Sequence, residues 1–225
     1  MKLVNGIWFP SDDTHFSKMM NDDGAYQRDI FSAAMECVKA PKIFFDIGAH
    51  VGLWSLMALK AGFIELHAFE PNVKTFECLK KNLECKKYSY KGYLYNYGVA
   101  SIKNVCMRVV EEAQGNSGAV KLVNNEPDRD GFVSNAAVAP ISDSFRLHED
   151  IARLDIKAHE CVVKIDTEGM EASCVLGMDK IIYALRPVVI VEQRTNMDAL
   201  DILQKMGMQI VKQVRKDYIL TWKNQ

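Results

Sequence analysis

The 225 residues lack a charge excess of either sign: 28 lysines and arginines face 29 aspartates and glutamates, a formal net charge of −1. Holding nucleic acid by charge alone requires a basic surplus, so that class is disfavoured. No apolar run approaches the roughly 18 residues of a membrane span. The opening MKLVNGIWFPSDD meets acids too soon to read as a signal peptide. The six cysteines (Cys37, Cys78, Cys85, Cys106, Cys161, Cys174) include no CxxC pair and no regular spacing. Several sit in apolar stretches, so reduced core thiols are expected rather than disulfides or a zinc site, and with them a cytoplasmic location. Repeats, low-complexity tracts and linkers are also missing, so residues 1–225 are read as one domain. His15, His67, His148 and His159 share no spacing, and structural or surface roles are expected for all four.

What is present is ordinary globular material, 48% hydrophobic and 25% charged, with enough apolar residues for a core. After an irregular start over 1–24, Tyr26–Val38 reads as a helix that stops before Pro41. Residues 43–46 read as a short strand, apolar up to Asp46, 52–61 as a helix ended by Gly62, and 65–69 as a second strand. Pro71 and Asn72 open a helix with Val73, Phe76, Leu79 and Leu83 on one face. A third strand spans 93–100. NVCMRVVEE and SGAVKLV look like paired β segments, and PDRDGFVSN (127–135) reads as loop. Strand 161–166, a helix near 170–184, strand 188–192 and a helix at 198–206 follow. MQIVKQVRK and YILTWK flank Asp217 as a hairpin. Alternating strands and helices predict an α/β, doubly wound, Rossmann-like sheet, mostly parallel, with a C-terminal antiparallel hairpin and helices on both faces. The segment 1–40 is expected to lie over the pocket, and 101–150 to form a β/loop insertion shaping an acceptor site.

The stretch DIGAHVG joins the first strong strand to its helix, where ligands bind in such sheets. Gly48 permits backbone angles closed to other residues, and Gly52 is expected to let the helix pack tightly on the strand. A tight turn without a ligand is the plain alternative. The GxGxxG dinucleotide fingerprint fails, because His50 and Leu53 occupy two of its glycine positions. Asp46, two positions before the first glycine, would repel a pyrophosphate. Glu70 ends the second strand, where an acid can accept both hydroxyls of a ribose. A nucleoside without phosphates and carrying positive charge suits this pair, and S-adenosylmethionine meets both conditions.

DIGAHVG and FEP resemble motifs I and II of class I S-adenosylmethionine-dependent methyltransferases. VVKIDTEGMEASCVLGM (162–178) resembles the Lys-Ile-Asp-x-Glu-Gly-x-Glu block of the FkbM family, as do GAYQRDIF, NYGVAS and RPVVIVEQ in their places. The similarity spans residues 24–221. The resemblance implies that Asp46, Gly48, Ala49, His50 and Gly52 surround the amino-acid part of the cofactor. It implies that Glu70 takes the ribose, beside Pro71 and Asn72. Asn96, Gly98 and Val99 fall on the adenine side.

Asp166, Glu168 and Glu171 stand where the fourth strand meets its helix, the position that borders the methyl group in this fold. The plain reading gives Asp166 the cofactor amino group, Glu168 a capping role at the helix N-terminus and Glu171 an exposed place. The functional reading makes Glu168 or Asp166 the base for a substrate hydroxyl, with Glu192 as a second candidate. Asp166, Glu168, Glu192 and Asn196 carry oxygen ligands suited to magnesium, but no tight metal spacing is present, so no metal is assigned. Six lysines interleaved with aromatics over 74–97 could follow an RNA backbone. They read better as the solvated face of a helix and an alternating strand. The expected activity is O-methylation of a small molecule or glycan. An RNA or nucleoside ribose methyltransferase and a non-catalytic cofactor-binding partner protein are the alternatives.

Overall fold

The computed structural model describes residues 1–19, 27–84, 88–102, 105–111, 114–123, 132–141, 155–193 and 197–223. The strands are β1 (Lys2–Val4), β2 (Ile7–Phe9), β3 (Ile43–Ile47), β4 (Glu65–Phe69), β5 (Lys91–Tyr95), β6 (Gly98–Val99) and β7 (Val105–Glu111). They continue with β8 (Val120–Val123), β9 (Phe132–Ala139), β10 (Cys161–Ile165), β11 (Val188–Glu192), β12 (Met208–Val214) and β13 (Asp217–Trp222). The helices are α1 (Phe16–Met19), α2 (Arg28–Met35), α3 (Leu53–Lys60), α4 (Val73–Leu83), α5 (Glu171–Gly177), α6 (Asp179–Leu185) and α7 (Asp198–Lys205).

Every residue of β3, β4 and β10 is buried, as befits strands covered on both faces. They belong to a seven-stranded sheet in the order β12-β13-β11-β10-β3-β4-β5. Its pairings are parallel from β11 to β5, while β13 runs antiparallel to both β11 and β12. One face packs on α5, α6 and α7 through Val175, Ile181 and Leu200. The other packs on α2, α3 and α4 through Ile30, Trp54 and Leu79. The strand order departs in opposite directions from the β3–β10 pair, the point at which an open α/β sheet forms its ligand crevice. A second sheet, β6-β9-β7-β8, closes over Ala100, Met107 and Val138.

The structure departs from the sequence expectations in several elements. Residues 2–9, expected to be irregular, form the β1–β2 hairpin, whose Asn5-Gly6 turn has both residues at positive φ (48° and 80°). Val73, expected on the buried face of α4, is 41% exposed. The strand expected over 93–100 is two strands in different sheets, because the Asn96 side chain donates to Glu70 O (2.8 Å) and Pro71 O (3.3 Å) and turns the chain between them. Residues 132–135, expected as loop, belong to β9, which pairs with β7. The helix expected at 170–184 breaks between α5 and α6, where Gly177 packs so closely that an added Cβ would lie 2.5 Å from Ala100 O. The C-terminal antiparallel hairpin joins the sheet as expected, with β13 beside β11 and β12 at the edge. Asn196 and His148 lie outside the described residues.

Candidate active site

The turn after β3 is shaped by contact with neighbouring strand ends. Gly48 has φ +77°, and a Cβ there would sit 1.9 Å from Asp166 O, so no other residue fits. Its N–H and that of Ala49 both donate to Phe69 O at 3.0 Å. Gly52 (φ +89°) starts α3, and an added Cβ would meet Leu79 Cδ1 at 2.6 Å. The close partner is therefore helix α4, not the strand as expected from sequence.

His50 holds a left-handed φ of 52°, and its N–H donates to Glu70 Oε2 at 2.8 Å. Glu70 Oε1 accepts from Asn72 N and Thr75 Oγ1, both at 2.9 Å. Burial raises the Glu70 pKa, with these donors pulling against it. A carboxylate offers about four acceptor directions. Three are filled, and the fourth, on Oε2, is left at the cavity that Glu70 lines. Pro71, Gly98 and Val99 line the wall beside it. Asn72 instead caps α4, its Oδ1 accepting from Lys74 N at 3.0 Å.

Asp46 lies behind the cavity, fully buried. Its Oδ2 accepts from Ser55 Oγ at 2.7 Å, and Oδ1 faces Lys164 Nζ at 3.6 Å as an ion pair too long to be a hydrogen bond. Lys164 Nζ also donates to Gly48 O (3.1 Å) and lies 3.5 Å from Asp166 Oδ2. Burial acts to lower the Lys164 pKa, but Asp166 and Asp46 outweigh it and the pKa is raised, so the side chain stays an ammonium. Burial also drives the Asp46 carboxyl upward, against Lys164 and Ser55.

Asp166, Glu168 and Glu192 converge on the cavity, with one carboxylate oxygen of each within 4.8 Å of the others. Glu168 (φ 54°) followed by Gly169 (φ 109°) makes the turn that sends its side chain there. It does not cap α5. Glu171 is buried rather than exposed and braces the turn before α5: its Oε1 accepts from Gly169 N (2.9 Å), Thr167 N (3.2 Å) and Thr167 Oγ1 (3.2 Å).

The cavity holds about 280 Å³ and is roofed by residues far apart in sequence. Gly115 O accepts from Thr14 N (2.7 Å) and His15 N (3.1 Å). Asp13, 1% exposed, takes Ser17 N on Oδ1 (2.8 Å) and both Ser117 N (3.1 Å) and Ser117 Oγ on Oδ2. Although burial opposes ionisation, the Ser117 and Ser17 donors leave the Asp13 pKa lowered. Ser117 Oγ lies 2.8 Å from His50 Nε2, and the Phe16 ring centroid 4.6 Å from that of His50.

The sequence profile of the Methyltransferase FkbM domain matches residues 46–219. The chain belongs to the FkbM methyltransferase family. No curated protein matches it. Among solved structures it is similar to the Methyltransferase FkbM from Methylobacillus flagellatus KT, at 20% identity and a TM-score of 0.49, over 80% of this chain and 43% of that one. The chain thus spans less than half the length of that relative. It is also similar to the magnesium protoporphyrin IX methyltransferase from Synechocystis PCC 6803 (12% identity, TM-score 0.46, 92% of this chain and 83% of that one). A third likeness is to a SAM-dependent methyltransferase from Leishmania major (12%, TM-score 0.49, 92% and 77%).

In this FkbM-family chain the fold brings Gly48, Ala49, His50, Glu70, Pro71, Gly98, Val99, Asp166, Glu168 and Glu192 to one cavity. Asp46, Asn72 and Asn96 support it from behind. Sequence reasoning passed over Lys164, Trp54 and the roof residues Asp13 and Ser117. Lys164 had a signal: a lysine inside the apolar strand CVVKI is rarely buried without a partner. Asp13 and Ser117, 104 positions apart, had none.

Proposed function

We propose that this chain transfers a methyl group from S-adenosylmethionine to a hydroxyl of a small molecule or glycan. The observation that carries the reading is one cavity joining Glu70 to the trio Asp166, Glu168 and Glu192. These acids end β4 and β11 and flank β3 and β10, so the cavity crosses three strand spacings, about 14 Å. That length suits a nucleoside carrying an amino-acid chain, with an acceptor beyond it. The donor set suits the same ligand. Glu70 keeps an acceptor direction for a ribose hydroxyl, the acidic corner attracts cationic groups, and Lys164 is engaged by Asp46 and Asp166 rather than placed to hold a phosphate.

When bound, S-adenosylmethionine supplies a methyl group on a sulfonium already activated for in-line attack, so orientation provides much of the rate. The Gly48–Ala49 turn and Asp166 hold the amino-acid part, Glu70 the ribose, and Pro71, Gly98 and Val99 the adenine side. An aliphatic hydroxyl must shed its proton, and Glu168 takes it at its carboxylate. Asp166 is already drawn to Lys164 at 3.5 Å, and Glu192 stands second. The acidic corner would repel a phosphate backbone, which favours small molecules and glycans over RNA.

The test is an acceptor screen with isotopically labelled methyl donor and mass detection of a one-methyl gain, followed by Glu168→Gln. Turnover should fall about 10²–10⁴-fold with cofactor affinity retained. A wild-type rate in that variant transfers the role to Glu192, and lost cofactor affinity would place Glu168 in the cofactor shell.

A further inference from the structure

Glu70 has room for one ligand hydroxyl, yet a ribose presents two. Oε1 is filled by Asn72 N and Thr75 Oγ1, and Oε2 already accepts from His50 N. The second hydroxyl needs another acceptor close by, and the residue whose N–H touches that carboxylate has one.

The hydrogen-bond chain above His50 fixes which ring nitrogen this is. Asp13 is ionised and can only accept. Ser117 Oγ spends its single proton on Asp13 Oδ2. It can therefore only accept from His50 Nε2, 2.8 Å away, so Nε2 carries the hydrogen. Burial lowers the His50 pKa to about 4, so the ring is neutral near pH 7 and Nδ1 is a bare acceptor. The ring's contacts with Ser117 are made from the Nε2 side, no hydrogen bond to Nδ1 is seen among the described residues, and His50 lines the cavity.

We infer that His50 Nδ1 is the second ribose acceptor, sharing the diol with Glu70, and that Asp13 and Ser117 are positioning residues that hold its tautomer. This rests on the ribose placement proposed above. It makes the roof part of nucleoside recognition: a hairpin-borne segment near the N-terminus and a loop of the second sheet together decide what one imidazole can accept.

The experiment is calorimetry of S-adenosylhomocysteine and its 2′-deoxy and 3′-deoxy analogues against wild type, His50→Phe, His50→Asn and Ser117→Ala. In wild type, deleting either hydroxyl should weaken binding roughly tenfold. In His50→Phe one of the two penalties should vanish and the other persist. His50→Asn, whose amide oxygen can reach the place of Nδ1, should restore the lost penalty. Ser117→Ala should shrink that penalty in the wild-type background and leave it unchanged in His50→Asn, a pattern that a purely structural serine would not produce. Should His50→Phe fail to fold, the Ser117→Ala and His50→Asn comparison carries the same test. Two undiminished penalties in His50→Phe overturn the inference and leave the ribose at Glu70. Wild type indifferent to both hydroxyls overturns the ribose placement itself, and no binding of the intact nucleoside overturns the cofactor reading.

Discussion

Replacing Glu70 by alanine strips the acceptor from His50 N, Asn72 N and Thr75 Oγ1 at once. Each buried donor left unpaired costs about 1–3 kcal/mol, reduced where water enters the space. The expected outcome is a Tm lower by several degrees together with cofactor-product affinity down about 10- to 100-fold, read by calorimetry and thermal melts on the same sample. An unchanged dissociation constant would place the ribose elsewhere. Asp217 has a different signature, because burial, reinforced by Asp166, raises its pKa to about 6 from an ordinary 3.8. A raised carboxyl adds stability below the unfolded value, and that stability is lost as pH climbs through the folded one. Asp217→Asn should therefore melt higher than wild type at pH 7–8, by on the order of 1–3 kcal/mol, with the advantage gone near pH 4. His50 works in the opposite sense: its lowered pKa adds stability above 6.5 that is lost as pH falls toward about 4. A flat difference between Asp217→Asn and wild type across pH 4–8 would refute the burial argument.

The β3–β10 pair sets Asp46 directly beside Lys164, joining two strands through a buried ion pair as well as backbone bonds. Lys164→Met would leave the Asp46 carboxylate buried without its cation and Gly48 O without its donor. Such a break typically costs about 3–5 kcal/mol. Adding Asp46→Asn should recover part of the lost stability in denaturant titrations, and purely additive losses would show that the two strands are not coupled through these side chains. Elements of this kind were legible in the sequence because short, mostly apolar runs such as IFFDI and CVVKI can bury both faces only inside a covered sheet. Elements whose shape depends on distant partners were not. The chain turns at Asn96 to satisfy carbonyls of residues 70 and 71, the helix breaks at Gly177 against Ala100, and β9 gains its register from β7. The β1–β2 hairpin is a separate case: its Asn5-Gly6 turn was an available local signal. At the site, the cavity floor came from contiguous motifs, while the Asp13–Ser117–His50 roof is tertiary throughout.

For the whole molecule, any ligand selective for the folded state raises its melting temperature. S-adenosylhomocysteine at 100 times its dissociation constant should add about 2.7 kcal/mol, which for a chain of this size is roughly 5–10 °C. No shift with either S-adenosylmethionine or S-adenosylhomocysteine would refute the cofactor assignment. A net charge of −1 adds a second global expectation, that RNA does not compete with this shift at physiological salt. The chain has three tryptophans, and only Trp54 lines the cavity, its indole N–H donating to Gln27 Oε1 at 2.6 Å. Trp8 lies beneath Lys81 Nζ, 3.6 Å from its ring centroid, and Trp222 beside Tyr183. A protein with Trp8 and Trp222 changed to phenylalanine would therefore emit from the cavity wall alone. Its fluorescence would report site occupancy in real time, so that ligand arrival and departure could be timed by stopped flow without a label.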